Sequence, residues 1–369
     1  MPIKLLDKNG YANFSAFLDD SIDVYMILGH RGDGKTYGAI KIVIDDYYQT
    51  GLPSCYARRS DEQIKTGVVS PLFSPFSPGY LMKMSGKQHN AVTYRSNAFT
   101  PIFLDESGKK TCAGLPMMYT TALSTWQKFK GPDRGQIRNM ILDEYIDAVG
   151  YLPGEVSVAW VNTLSTYLRD RGGTRIFLLG NPLNPYSPYH DYYGIDVEEM
   201  KQGTIADITY KTGAKLRFVW LPESPRENRP VNKILDIFSN LTSVTKGAWD
   251  LKAYPHRSRE MAAESTTLYS VGVCFRRHTI RGDVCALPSG MIYLFFYPSE
   301  NFKNCLKVYS DRYDPVDTRY TPILGRDPVD LEIADLIRAD LDYYATNKTG
   351  SIVENWMKMV NLRKPLKGA

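Results

Sequence analysis

The sequence predicts an α/β fold with a mostly parallel central sheet, of the P-loop type with an additional strand and a catalytic glutamate (ASCE), then a linker and a small α+β domain. Three observations predict it. The glycine-rich run Gly29-His30-Arg31-Gly32-Asp33-Gly34-Lys35-Thr36 lies between a strand-like and a helix-like segment. A second apolar run, Asn139 to Leu142, ends in Asp143-Glu144, and a third, Arg175 to Gly180, ends in Asn181.

The first element is Asp23 to Leu28, an apolar run of the kind that forms a strand buried on both faces of a parallel sheet. From Tyr37 to Tyr48, apolar residues at Ile40, Val43, Ile44 and Tyr47 have helical spacing. Strand, loop and helix in that order make a phosphate cradle, because glycines let backbone N–H groups wrap the phosphates. The sequence therefore assigns nucleotide binding to Gly29, Arg31, Gly32, Gly34, Lys35 and Thr36. Lys35 reaches the β- and γ-phosphate oxygens, and the Thr36 hydroxyl ligates Mg2+.

A phosphate loop alone does not imply hydrolysis. The acidic strand end does: Asp143 is expected to hold Mg2+, and Glu144, one residue on, to orient and polarise the attacking water. Asn181 at the third strand end is placed to sense the γ-phosphate. Upstream, Trp160 to Leu168 reads as a helix closed by Arg169-Asp170-Arg171-Gly172-Gly173. Arginine there suits neutralising transition-state charge on a neighbouring subunit's phosphates, or simply capping a helix C-terminus.

Between the loop helix and the acidic strand, Val68 to Gly79 reads as a Pro/Ser loop, and Tyr80 to Leu104 as short antiparallel strands. Lys83, Lys87 and Arg95 fall on their tips. Lys128, Lys130, Arg134 and Arg138 follow Trp126, and these cations are candidates for sequence-independent contacts to DNA phosphates.

After Asn181 the chain reads as loop through Tyr193, then as a hairpin over Ile205 to Leu221. The proline-dense run Pro222 to Pro230 opens a linker holding a short helix, Asn232 to Leu241, and the basic stretch His256 to Arg259. The expected domains are 1–222, a linker 223–263, and 264–369. In the last, Leu268 to Phe275, Thr279 to Leu287 and Met291 to Tyr297 form a meander. Two helices follow: Val329 to Tyr344, and Ile352 to Leu362 started by a capping box at Ser351 and Glu354.

Composition bounds the class. A formal charge of +5 over 369 residues excludes a polycation, so nucleic-acid binding would need local patches. Five scattered cysteines and five dispersed histidines show no metal-type spacing, which points to a reducing compartment and no zinc. Charged residues break up the N-terminus and no apolar run is long enough to span a bilayer, so a soluble intracellular protein without membrane partners is expected.

Taken together, the residues resemble the DNA-packaging ATPases of phi29-type tailed phages. The resemblance rests on the loop with its Arg31, on Tyr56-Ala57-Arg58-Arg59, on Ser124-Thr125-Trp126-Gln127, on Leu142-Asp143-Glu144-Tyr145, on Arg169-Asp170-Arg171, and on Asn181 followed by Asn184-Pro185-Tyr186. It covers roughly the first two hundred residues. It implies ATP and Mg2+ as cofactors, catalytic roles for Lys35 and Glu144, Arg169 acting in trans assisted by Arg171, and translocation of double-stranded DNA into a preformed capsid. The implied partners are a homomeric ring of copies, by likeness a pentamer, the portal of the procapsid, and a structural RNA such as some relatives use. The implied place is the host cytoplasm, docked transiently on the procapsid. The meander and later helices suit a ribonuclease-H-like domain, where large terminases keep their nuclease. That chemistry needs clustered carboxylates beginning on the opening strand. Leu268 to Phe275 has none, and Asp283, Asp311, Asp314 and Asp317 do not restore the cluster, so an inactive nuclease-like domain is expected. The competing readings are a helicase or conjugation-type pump of the same superfamily, and a nucleotide-gated DNA-binding protein.

Overall fold

Every residue of β1 (Val24–Leu28) is buried. A strand of that kind needs cover on both faces and neighbours on both edges. The computed structural model describes residues 3–129, 133–146, 151–152, 154–169, 171–223, 254–310, 317–321, 325 and 327–359. The chain divides into two compact units, Met1–Asp250 and Leu251–Ala369.

The first unit holds a 10-stranded sheet. After β1 come β2 (Ser54–Arg58), β3 (Ala91–Arg95), β4 (Ala98–Leu104), β5 (Lys110–Ala113), β6 (Met118–Ala122), β7 (Asn139–Asp143), β8 (Arg175–Gly180), β9 (Ile205–Thr209) and β10 (Lys215–Trp220). Their order is β3-β4-β6-β2-β7-β8-β1-β10-β9, with β5 on β4. β6, β2, β7, β8, β1 and β10 run parallel, and the outer strands β3, β4, β5 and β9 pair antiparallel. The strand β8 lies between β1, which carries the phosphate loop, and the acidic strand β7.

Alternate residues of β1 serve opposite faces. Tyr25 and Ile27 pack into a cluster with Phe14, Phe17, Ile40, Val43 and Ile44, so the helix Lys35–Thr50 covers that face. Val24, Met26 and Leu28 join Leu142, Trp160, Tyr167 and Leu178 on the other.

Several segments differ from the sequence reading. The run Val68 to Gly79, expected as a loop, is largely helical: Thr66–Val69, Ser70–Phe73 and then Pro78–Met84, which also replaces the first expected strand. Pro71 and Pro78 stand in first turns, where no backbone donor is missed, while Val69, Phe73 and Phe76 are buried. Pro188–Tyr193 is a short helix rather than loop, because Tyr189, His190 and Tyr193 are buried on one side of it. The helix before Arg169 starts early, with a wide π-helical turn Glu155–Trp160 leading into Val161–Leu168.

The second unit holds β11 (Thr266–Phe275), β12 (His278–Ala286), β13 (Ile292–Pro298), β14 (Cys305–Ser310), β15 (Tyr320–Thr321) and β16 (Asp342–Tyr344). The first three form the expected antiparallel meander, β14 joins β11 in parallel, and the order is β15-β14-β11-β12-β13-β16. The helix expected over Val329 to Tyr344 stops at Arg338, where Asp340 takes φ +57° and turns the chain into β16. The last helix begins at Asn347 rather than Ile352, because the Thr346 hydroxyl accepts from the Thr349 N–H at 3.1 Å. Ser351 and Glu354 therefore lie inside it. Arg259–Glu264, read as linker, is a short helix capped by Ser258. The expected helix Asn232 to Leu241 lies outside the described residues.

Candidate nucleotide site

At the C-terminal end of β1 the chain must reverse into a helix within a few residues. Gly32 and Gly34 do this at φ +83° and +74°, which side chains resist. The buried Asp33 carboxylate accepts from the His30 N–H at 2.7 Å and closes the loop on itself. Its backbone carbonyl accepts from the Ala12 N–H at 2.7 Å, fastening the N-terminal segment.

Lys35 opens the helix and turns its ammonium back over the loop. It donates to the carbonyls of Gly29 and His30, each at 2.8 Å, and to Asn181 Oδ1 at 3.0 Å. Asn181 thus meets Lys35 because β8 is the strand beside β1.

The next strand brings the acids. Asp143 Oδ2 accepts from the Thr36 hydroxyl at 3.0 Å and from the Tyr56 phenol at 2.8 Å. Glu144 leaves the strand at φ +59°, its N–H donating to Asp143 Oδ1 at 3.0 Å. Arg58 bridges the two acids, 3.3 Å from Asp143 and 2.7 Å from Glu144. Burial pushes the Tyr56 phenol well above its ordinary pKa, and the adjacent Asp143 charge adds to it. Burial works against the Arg58 cation, yet the Tyr56, Asp143 and Glu144 oxygens outweigh it and hold its pKa above the ordinary value.

One pocket of about 250 Å³ is lined by Arg31, Gly32, Gly34, Lys35 and Thr36 from the loop, Asp143 and Glu144 at the end of β7, and Asn181 at the end of β8. Phosphates fit its chemistry, with loop N–H groups and an ammonium on one wall. Magnesium fits the other, since the Thr36 hydroxyl and Asp143 carboxylate are hard oxygen donors standing together.

Arg169 and Arg171 are not in this pocket. Arg171 holds Asp133 through two bonds, at 2.9 and 2.6 Å, and Arg169 lies 3.6 Å from the same carboxylate. The Arg171 hydrogen bonds, with help from the Gly135 N–H, depress the Asp133 pKa. Both arginines precede β8, so the length of that strand, about 16 Å at ~3.3 Å per residue, separates them from its pocket end.

The candidate DNA-contacting cations are dispersed. Lys83, on the helix Pro78–Met84, Lys87 and Arg95 are exposed. Lys128 is exposed 3.4 Å from Asp61. Arg134 is half-buried with its guanidinium over the rings of Tyr119 and Tyr167, and Arg138 donates to the Gly173 carbonyl. Lys130 lies outside the described residues.

Sequence reasoning gave no role to Arg58, Tyr56 or Asp33. Only the pairing of β2 with β7, Ala57 opposite Leu142, puts Arg58 beside the acids.

In the second unit Asp283 accepts from Ser270 at 2.6 Å, from Tyr297 at 3.0 Å and from Arg281 at 3.0 Å. Arg281 also donates to Ser270 at 2.7 Å. Asp317 pairs with Arg319, and Asp311 and Asp314 lie outside the described residues. Among the described residues no three His, Cys, Asp or Glu side chains gather to share a metal, and no helix is long and apolar enough to cross a membrane.

The architecture and the loop define an α/β protein of the P-loop class, with its ligand pocket at the C-terminal ends of parallel strands. A family model described as podovirus DNA encapsidation protein (Gp16) matches residues 6–208, more than half of the chain. The chain belongs to that family. The DNA packaging protein of Bacillus phage B103 is 29% identical over 175 residues, covering 46% of this chain and 47% of that protein. That of Bacillus phage phi29 is 24% identical over 208 residues, 55% of each. The chain spans about half the length of these relatives in such matches. A chain of the solved bacteriophage Phi-29 viral genome packaging motor assembly shares the fold, with a TM-score of 0.54 at 18% identity over 95% of this chain and 99% of that one.

Proposed function

We propose that this protein is an ATP hydrolase that drives double-stranded viral DNA into a preformed capsid as a homomeric ring. The observation that carries this reading is the convergence of Lys35, Thr36, Asp143, Glu144 and Asn181 on one pocket, in a chain of the Gp16 family. Lys35 holds the β- and γ-phosphate oxygens of ATP. Thr36 and Asp143 hold Mg2+, which when bound neutralises phosphate charge. Glu144 orients and polarises the attacking water, and Asn181 reads the γ-phosphate. Arg169 of a neighbouring subunit, assisted by Arg171, neutralises charge in the transition state. Exposed cations, among them Lys83, Lys87, Arg95 and Lys128, grip DNA phosphates without reading sequence.

The domain reading 1–222, 223–263 and 264–369 goes with this. The order β13-β12-β11-β14-β15, three antiparallel strands followed by two added in parallel, supports a ribonuclease-H-like second domain. Its nuclease chemistry is lost, because Arg281 and Ser270 occupy the carboxylate of Asp283 where metal ions would need it. The domain instead docks on the portal of the procapsid, on DNA or on a structural RNA, in the host cytoplasm.

The test is Glu144→Gln in the full chain. Retained ATP binding with loss of both hydrolysis and DNA packaging into purified procapsids is expected. Packaging at the parental rate would leave the protein a nucleotide-gated DNA binder.

A further inference from the structure

We infer that Tyr37 is the stacking platform for the base of the bound nucleotide. This rests on the nucleotide reading above and goes beyond it, from the phosphates to the nucleoside. Tyr37 directly follows Lys35-Thr36 and lines the same pocket, yet its side chain is left 46% exposed.

Among the described residues, the aromatic ring stacked on Tyr37 is Phe76. The two rings lie parallel, with centroids 4.8 Å apart and an interplanar angle of 5°. Phe76 is itself buried and braced by Tyr80 at 5.6 Å and Phe73 at 6.4 Å. The stack fixes the orientation of Tyr37 before any ligand arrives, which lowers the ordering cost of binding against it.

The direction of the ligand follows from the loop. Lys35, Asp143 and Asn181 mark the terminal-phosphate end of the pocket, so the α-phosphate lies over the first N–H groups of the helix. The nucleoside then leaves the loop beside Tyr37. A base on the open face of Tyr37 extends the Phe76–Tyr37 stack by one ring. Stacking engages the π-face that every base has, so this platform favours the larger purines without distinguishing adenine from guanine.

The experiment compares ATP, GTP and inorganic tripolyphosphate, each with Mg2+, by calorimetric titration of the full-length parent, Tyr37→Ala, Tyr37→Phe and Lys35→Ala. Tyr37→Ala should weaken ATP and GTP about tenfold, in line with one lost base–ring stack, and leave tripolyphosphate unchanged. Tyr37→Phe should match the parent. Unchanged ATP affinity in Tyr37→Ala overturns the proposal. Equal losses for ATP and tripolyphosphate overturn it too, since the ring would then only prop the loop. If Lys35→Ala leaves tripolyphosphate binding intact, the phosphate site is elsewhere, and the base platform falls with it.

Discussion

Replacing Gly180 with alanine tests how tightly the acidic strand end is held. Gly180 ends β8 beside the ring of Tyr145, the residue after Glu144. An added Cβ would lie 2.6, 3.0 and 3.1 Å from Cε1, Cδ1 and Cζ of that ring. Ordinary carbon contacts are about 3.5–4.0 Å, so the ring must retreat by roughly 1 Å. It has little room to do so. Tyr145 is fully buried, its hydroxyl is 2.9 Å from His190 Nε2, and Tyr189 packs edge-on at 5.7 Å. Overpacking of this kind costs about 1–3 kcal/mol, and losing the buried hydroxyl's partner about as much again. Restricting the unfolded chain returns only about 0.4–1 kcal/mol. We expect a net loss of about 1–5 kcal/mol in urea unfolding followed by tryptophan fluorescence. Activity should fall further than stability. The Tyr145 N–H donates to the Leu179 carbonyl at 3.1 Å, so a displaced Tyr145 drags Glu144 with it, and a misplacement near 1 Å can cost about 100-fold in rate. Adding Tyr145→Phe, which releases the tether to His190, should recover part of the loss. A Gly180→Ala protein with parental unfolding midpoint and parental kcat would refute the reasoning, because Tyr145 would then be free to move.

Two further substitutions probe the arginines of β2 and the chain just after it. Arg58→Ala removes the cation between Asp143 and Glu144, whose side chain is 41% exposed; after discounting that screened half, about 1–2 kcal/mol of stability should go, and kcat about tenfold, with ATP affinity held by Lys35. Unchanged kcat in steady-state hydrolysis would show that Glu144 needs no help in orientation. Glu155→Gln strikes a carboxylate only 1% exposed, which accepts from Arg59 at 2.8 Å, Tyr189 at 2.9 Å and the Leu152 N–H at 2.8 Å. It should cost about 3–5 kcal/mol in denaturant, more than the paired change Arg59→Met with Glu155→Leu; a single variant milder than the pair would contradict a buried-charge origin.

What could be read from the sequence was what local chemistry determines. β1, β7 and β8 are short apolar runs because both their faces are covered, and such runs announce themselves without knowledge of their neighbours. Asp143 and Asn181 were legible because they stand at the ends of such runs, and Lys35 and Thr36 because the glycine-rich loop after β1 leads into them. Arg58 was not, since its meaning comes from the pairing of β2 with β7 across more than eighty residues of chain. The helices between Thr66 and Met84 were hidden by prolines and serines that read as loop, although Pro71 and Pro78 occupy helix starts. β14 was hidden differently: it is partly exposed at Leu306 and is defined by its parallel pairing with β11.

The parallel sheet also constrains how a complete catalytic site can be built. Because β7, β8 and β1 run the same way, their C-terminal ends share one edge, and the phosphate loop, both acids and Asn181 gather there. Arg169 and Arg171 belong to the opposite edge, where Gln136 donates to the Gly172 carbonyl and Arg138 to that of Gly173, latching their loop to the start of β7. No rotation of side chains carries a guanidinium along the full length of β8, so a chain cannot supply its own Arg169 to its own triphosphate. If Arg169 serves a pocket of this kind, as proposed above, the pocket is that of another copy. Such a contact would join two different surfaces of the same chain, and head-to-tail contacts of that kind either close into a ring or run on as a filament. A mixture of Arg169→Ala and Glu144→Gln subunits, each inactive alone, should therefore regain some hydrolysis where an intact pocket meets an intact arginine. Silence at every mixing ratio would leave Arg169 a structural residue beside Asp133.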